Sequence, residues 1–545
     1  MPDLGRVLAY HEATKHHFDR FARGPGGLDW ATQPDAFRRY HGAPVIHLAR
    51  IEPGSDPPYE IAYWPGQVEA RRLDLASISQ LFFDSLALSA WKQAGDVSWA
   101  LRVNPSSGNL HPTEGYLICG PVVGLTETPM VAHYAPREHA LEVRAKVPLG
   151  VWDDLRVDLP TGVILVGLSS VHWREAWKYG ERAFRYCQLD VGHAIAAISI
   201  AAAGLGWQAT LLDGLGTGQL GRLLGISDPQ GAEAEHPECL LAIYPQGRQL
   251  VSGALPEQTL AAFNDLSWQG SPNLLSSGHR EWPAIDRVAA ATDKPSTEGV
   301  YDQLVLATGT ADLPDAPGLS HPLSLRQIVR RRRSAVSMDP GATLQRDLFY
   351  KILRRTRSAP GQFPFNALLW QPLVHLALFV HRVEDLDSGL YLLNRRPEVA
   401  GALRASLRDG FLWEKPESCP ADLALYLLAP GDARAAARQL SCQQDIASDG
   451  CFSLGMVVSY EEPLKSFGPW FYRRLFWECG MIGQILYLEA ESVGLRGTGI
   501  GCFFDDGVHE LLGMDGRSYQ SLYHFTVGRP LEDERLTTLP AYSEE

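Results

Sequence analysis

The chain has 545 residues, of which 45% are hydrophobic and 21% charged, with a formal net charge of -14 at pH 7. Those proportions are globular, and the length calls for two to four domains rather than one core. The acidic balance excludes a general phosphate-neutralising surface, so neither nucleic acid nor an anionic membrane is an expected partner.

Eight cysteines (119, 187, 239, 419, 442, 451, 479 and 502) are scattered without a Cys-x-x-Cys pair. Without metal-ligand spacing they read as reduced, buried thiols. The start has no basic segment followed by an apolar one, and Ala194 to Leu205 is too short to span a bilayer. A cytoplasmic protein without a membrane contact is expected.

In chain order, residues 8–40 open with Tyr10-His11-Glu12-Ala13-Thr14-Lys15-His16-His17. Without a second histidine at i, i+4 this predicts a polar helical arm rather than a metal site. Apolar residues at helical spacing predict a core helix from Leu75 to Ala90. A polar loop follows, Arg102-Val-Asn-Pro105-Ser106-Ser107-Gly108-Asn109-Leu-His-Pro112. It reads either as a turn satisfying its own backbone or as a set of hydrogen-bonding groups for a planar heterocycle. Val143–Val147 and Gly162–Leu168 are predicted strands. An Ala-rich helix apolar nearly all round ends at Gly204 and Gly206, and Trp207–Leu212 and Leu241–Arg248 close the first half. Residues 253–322, rich in Gly, Pro, Ser and Asp, read as a partly structured connector with a helical patch near 282–291. The expected units are therefore 1–252, the connector 253–322, and 323–545.

The second half repeats the first. Gly204-Leu205 followed by Leu223-Leu224-Gly225 has a counterpart in Gly494-Leu495 followed by Leu511-Leu512-Gly513. Each set follows an apolar helix and precedes a strand and a Gly-Arg, at 247–248 and 528–529. A period near 285 residues means tandem domains rather than a solenoid. Two such copies pack as a pseudo-dimer, in which an interface site draws on both halves.

Three motifs carry candidate chemistry. Arg330-Arg331-Arg332-Arg333-Ser334 is either a solvated basic patch or a set of guanidinium forks for a phosphate or a flavin pyrimidine edge. The glycines of Gly494-Leu-Arg-Gly497-Thr-Gly499-Ile-Gly501 admit a ligand close to the backbone, or make a common turn. Lys178-Tyr179 suits proton transfer beside a redox ring, or is a helix-surface pair. Gly216-x-Gly218-x-x-Gly221 matches the dinucleotide fingerprint in letters only, because the helix after it is too short. No Gly-x-Ser-x-Gly, Walker loop or His-Glu-x-x-His occurs, so hydrolase and NTP-dependent classes lack support.

Taken together, the motifs resemble the FMN-dependent nitroreductase superfamily, and within it the SagB-type dehydrogenases that oxidise azolines to azoles on peptides. The resemblance rests on Tyr10–His16, on Arg102 with Pro105–Asn109, on Lys178–Tyr186 with Asp190-x-Gly192-His193, on Arg332-Arg333-Ser334, on the 494–501 glycines and on Val527-Gly528-Arg529-Pro530. It implies an α+β fold of two tandem nitroreductase-like domains forming an intramolecular pseudo-dimer. It also implies FMN held by Arg102, Pro105, Ser106, Ser107 and Asn109 from one half and Arg332, Arg333, Ser334, Gly497, Gly499 and Arg529 from the other. The reciprocal set, Arg357–Asn366 against Glu69–Leu73, departs from the pattern, so one FMN per chain is expected. Val336 stands where many relatives carry a basic residue.

The expected activity is oxidation of a heterocycle in a small molecule or peptide by hydride transfer to flavin N5, with Lys178 or Tyr179 handling the proton. NAD(P)H-dependent nitro or quinone reduction is the second enzymatic reading, and a non-catalytic scaffold or peptide-binding subunit is the third. The assembly is expected to be a monomeric pseudo-dimer or a homodimer of pseudo-dimers.

Overall fold

The computed structural model describes residues 2–51, 54, 56–227, 231–248, 250, 253–298, 323–358 and 361–542. Residues 299–322 of the expected connector lie outside the described residues.

Two antiparallel sheets carry the chain. Across the first sheet the strands run Val45–His47, Ala140–Lys146, Met130–Ala135, Thr113–Cys119, Ile164–Val171, Glu235–Pro245, Trp207–Leu211. Across the second they run Leu425–Pro430, Gly389–Leu393, Val374–Val380, Phe452–Ser459, Tyr519–Gly528, Arg496–Ile500. Apart from the extra edge strand Val45–His47, the order is the same. Ala183 and Phe471 open the two long helices, 288 positions apart, and each helix has 22 residues. The short helices Thr217–Leu224 and Asp505–Leu512 end alike, on left-handed Gly225 (φ 70, ψ 33) and Gly513 (φ 70, ψ 29). The chain is thus two tandem domains of one topology, as its sequence period implied.

The long helices cross at the centre of the molecule. A Cβ on Gly192 would lie 2.3 Å from the Trp477 carbonyl oxygen, and one on Gly480 would lie 2.2 Å from that of Leu189. These equivalent glycines let the two backbones touch, which larger residues would prevent at a cost of several kcal/mol. Every residue of the first helix is buried. The helical run 172–204 is apolar and long enough to cross a bilayer, but its apolar window is wholly enclosed by protein. It is a core element, explained by all-round apolarity.

Each end of the chain reaches across the pseudo-dimer. The helix Pro2–Ala13 packs toward the second domain, with His11 placed between Tyr472 Oη and Gln520 Oε1, each at 3.2 Å. This corrects the polar arm in part, because Tyr10, His11, Thr14, Lys15 and His16 are all buried. Glu12, His17 and Asp506 do converge, but Lys15 Nζ already bridges Glu12 at 3.1 Å and Asp506 at 3.0 Å. At the other end, Thr537–Leu539 adds a strand to the hairpin of Leu88–Ala94 and Val97–Arg102. That hairpin corrects the expected helix over 75–90. The helix, capped by Asp74 and Ser77, stops at Phe83, and Leu88 onward is extended. Leu88 and Ala90 fit a period of two as well as a helical one, and pairing on both edges decided between them.

Candidate active site

A cavity of about 450 Å³ opens between the domains, within the range of small-molecule and cofactor pockets. The first domain lines it with Arg102, Pro105, Ser106, Ser107, Asn109, Tyr179, Asp190 and His193; the second with Arg332, Arg333, Ser334, Tyr487, Gly499, Cys502 and Tyr523. The loop and the arginine motif, distant in sequence, therefore face one space.

The loop holds itself in shape. Ser106 Oγ accepts from His111 N at 2.8 Å, and Asn109 Nδ2 donates to the Ala100 carbonyl at 2.9 Å. Gly108, Asn109 and His111 all have φ between 52 and 60, which costs little only at glycine and asparagine. Ser107 turns inward, where its N and Oγ each donate to Asp190 Oδ1 at 3.1 Å. Of the residues assigned to ligand contact, Ser106 and Asn109 thus also serve loop geometry.

The arginines likewise make hydrogen bonds within the protein. Arg332 is buried, and its Nε and Nη2 donate to the Val103 and Arg102 carbonyls at 3.0 and 2.9 Å. Arg333 donates to Ser89 Oγ at 3.1 Å and to the Ser89 carbonyl at 3.0 Å. Arg102 donates to the carbonyls of Ala36 at 2.5 Å and Thr113 at 3.3 Å. The Arg332 and Arg333 forks tie the domains together, because main-chain oxygens were the nearest acceptors, while that of Arg102 braces its own domain. Their charge still reaches the cavity. Burial, and then Arg332, Arg330 and Arg496 nearby, pull the Arg333 guanidinium down to about 9, the mark of positive charge in want of an anion.

Ser334 pairs with Gly497 through the backbone, and its Oγ lies 2.9 Å from Tyr487 Oη. Tyr487 Oη in turn accepts from Gly499 N at 2.9 Å. A Cβ on Gly499 would fall 1.8 Å from Tyr523 Oη, so only glycine fits under that phenol. Gly497 and Arg529 do not line the cavity, and Arg529 is exposed. Its place beyond the end of the strand Tyr519–Gly528 carries its side chain outward.

Lys178 and Tyr179 end the helix His172–Tyr179 beside the loop. A Cβ on Gly108 would lie 2.5 Å from Tyr179 Oη and 3.1 Å from Lys178 Nζ. Burial, with Glu175 and then Tyr186 and Asp190 nearby, holds the Tyr179 phenol protonated far above its usual range. Glu175, on the same helix face, is buried with both carboxylate oxygens unpartnered among the described residues. Its carboxyl is pushed well up by burial first and by Asp190 second. Burial raises Asp190 to about 7 despite its serine hydrogen bonds. His193, one turn beyond Asp190, is held neutral by burial, pushed down to about 3, with Nδ1 donating to Gln484 at 3.4 Å and Nε2 accepting from Tyr523 Oη at 3.2 Å. Sequence reasoning missed Glu175, although its spacing to Lys178 and Tyr179 (i, i+3, i+4) put all three on one helix face. It also missed Tyr487 and Tyr523, for which no local signal existed.

The pseudo-equivalent position across the two-fold is filled. Arg474, in the place of Tyr186, pairs with buried Asp213, and Arg473 binds Glu238 at 3.0 Å. Glu478, in the place of Asp190, caps the Leu373 and Val374 amides and pairs with Arg395. Only about 20 Å³ remains there, beside Lys294, Arg473 and Arg474, room for a water molecule.

Comparison with known proteins fits this architecture. Residues 423–529 match the Nitroreductase family. A protein of Methanocaldococcus jannaschii assigned to the nitroreductases is 26% identical over 152 residues, 27% of this chain and 70% of its own. A solved structure from Anabaena variabilis, likewise assigned, superimposes with a TM-score of 0.70 at 22% identity over 96% of this chain and 99% of its own. A chain of the E. coli microcin synthetase McbBCD complex, solved with truncated pro-MccB17 bound, overlaps 37% of this chain and 70% of its own, at 19% identity and a TM-score of 0.28. Residues 423–529 are therefore a nitroreductase-family segment, and the whole chain has the nitroreductase fold in two tandem domains paired within one molecule.

Proposed function

We propose that the chain is an FMN-dependent oxidoreductase with one flavin site, in the interdomain cavity. The observation that carries this reading is the asymmetry of the two equivalent positions: one offers about 450 Å³, the other about 20 Å³ closed by ion pairs. The donor set fits a flavin mononucleotide. Lys92, Arg332, Arg333 and Arg496 give one wall a positive field suited to a phosphate. The opposite wall offers the Ser106–Asn109 loop, and Gly499 and Gly501 keep the floor open to a flat ring. When bound, flavin supplies a two-electron acceptor for hydride.

The chain's own groups would manage the proton. Lys178 reaches the loop beside Gly108, and burial raises the carboxyls of Glu175 and Asp190 behind it, that of Asp190 to about 7. Tyr179, kept as a phenol, positions a substrate heteroatom by hydrogen bonding. Such a pair suits removal of hydride and proton from adjacent atoms of a saturated or partly saturated heterocycle. The substrate class proposed is an azoline in a peptide or small natural product, by the SagB-type resemblance of Lys178-Tyr179 and its flanks; the fold alone does not select it.

The test is the absorbance spectrum of the purified chain, with identification of released flavin. One FMN per chain is expected. A colourless protein that takes up no FMN would favour a scaffold, and a ratio near two would refute the single site. Lys178→Ala should bind FMN normally and lose at least tenfold in turnover; full turnover would remove its role. Rapid anaerobic bleaching by NAD(P)H would move the reading to a nitro or quinone reductase.

A further inference from the structure

Six of the eight cysteines are buried, whereas Cys442 and Cys502 are half-exposed. Those two do not fit the expectation that all eight are buried thiols. Their sulfurs lie 2.7 Å apart although 60 positions separate them in sequence. Cys502 lines the interdomain cavity, as does Gln444, two positions after Cys442.

The surroundings fix the pair in this arrangement. Cys442 follows the helix Arg434–Leu440, and both it and Gln443 have left-handed backbones, φ 53 and 61. Two successive non-glycine residues there are strained, a feature that gathers at functional sites. Gln444 Nε2 donates to the Cys502 carbonyl at 3.1 Å, holding the turn against the loop that follows Arg496–Ile500. His16 Nδ1 accepts from Ala22 N at 2.9 Å, which leaves its proton on Nε2 when neutral. The Cys442 sulfur in contact with Cys502, and His16 and Arg182 nearby, favour the Cys502 thiolate. A cavity-facing, stabilised thiolate beside a second thiol is the arrangement of a reactive cysteine with a resolving partner.

We infer that Cys442 and Cys502 are a redox-active dithiol in the cavity wall, which exchanges with low-molecular-weight disulfides. Cys502 attacks one sulfur of the small disulfide, forming a mixed disulfide and releasing one small thiolate. Cys442 then attacks Cys502 sulfur, closing the Cys442–Cys502 bond and releasing the second small thiol. The protein loses two electrons and two protons, and one small disulfide becomes two thiols. The closed bond pins the 440–444 turn to the loop carrying Gly501 and Cys502, and so sets the mobility of that cavity wall.

The experiment uses the full chain, freed of flavin, and reads thiols rather than turnover, so its failure and that of the flavin reading are told apart. Reduced protein is incubated with oxidised glutathione, quenched in acid, labelled with a maleimide under denaturing conditions and mapped by mass spectrometry. Expected are loss of label at Cys442 and Cys502 together, a peptide pair joined through them, and full label at the six buried cysteines. Cys442→Ser should accumulate the glutathione adduct on Cys502. Cys502→Ser should form any adduct on Cys442 at least tenfold more slowly. Full labelling of both cysteines in wild type after prolonged incubation, or equal modification of all eight, would overturn the inference.

Discussion

Asp190 tests whether the polar cluster behind the cavity is as dry as its packing makes it. Its carboxyl is buried and rises from 3.8 to about 7, burial outweighing the hydrogen bonds from Ser107. Between those values the folded chain holds a proton that the unfolded chain has lost. This contribution to stability is therefore complete below about pH 4 and is lost as pH rises through 7, at about 1.4 kcal/mol per pH unit. Over some three units the loss is on the order of 4 kcal/mol, an upper figure because Glu175 shares the same space. Asp190→Asn removes the titration while its amide oxygen still accepts from Ser107 N and Oγ, both now bonded to Oδ1. Denaturant unfolding of flavin-free wild type and variant, followed from pH 4.5 to 8.5, should diverge: wild type loses stability toward neutrality and the variant loses much less. Parallel curves would refute the argument and show that water reaches Asp190.

Gly499→Ala should reduce flavin retention at least tenfold in a dialysis assay, because the new methyl lies 1.8 Å from where Tyr523 Oη sits and must displace it from His193; unchanged retention would count against the cavity floor described above. Gly218→Ala should leave flavin content unchanged and stability equal or up to about 1 kcal/mol higher, since nothing lies within 4 Å of the added carbon. Cofactor loss there would revive the dinucleotide fingerprint as a real site. Arg332→Ala should cost roughly 3 kcal/mol, measured as a lowered unfolding midpoint, by orphaning the Arg102 and Val103 carbonyls at the domain interface.

The sequence by itself determined the repeat and much of each copy. Strong local signals sufficed: the all-round apolar central helix, the left-handed glycines after Leu224 and Leu512, and the strands flanking them. It also placed the Ser107 loop and the Arg332 motif as candidates, since glycine, proline and arginine mark positions by their own chemistry. Local signals failed where a neighbour distant in sequence decided the outcome. Leu88–Ala94 became a strand because Val97–Arg102 and the chain's far end pair with it. The Arg332 and Arg333 forks turned to main-chain carbonyls because the first domain presents those oxygens at contact distance. Cys442 met Cys502, and Asp190 met Glu175, only through the packing of separate elements; sequence spacing holds no record of such meetings. Burial supplied the rest, since a carboxyl or a phenol acquires its protonation from the volume around it, and that volume exists only after the two domains close on each other.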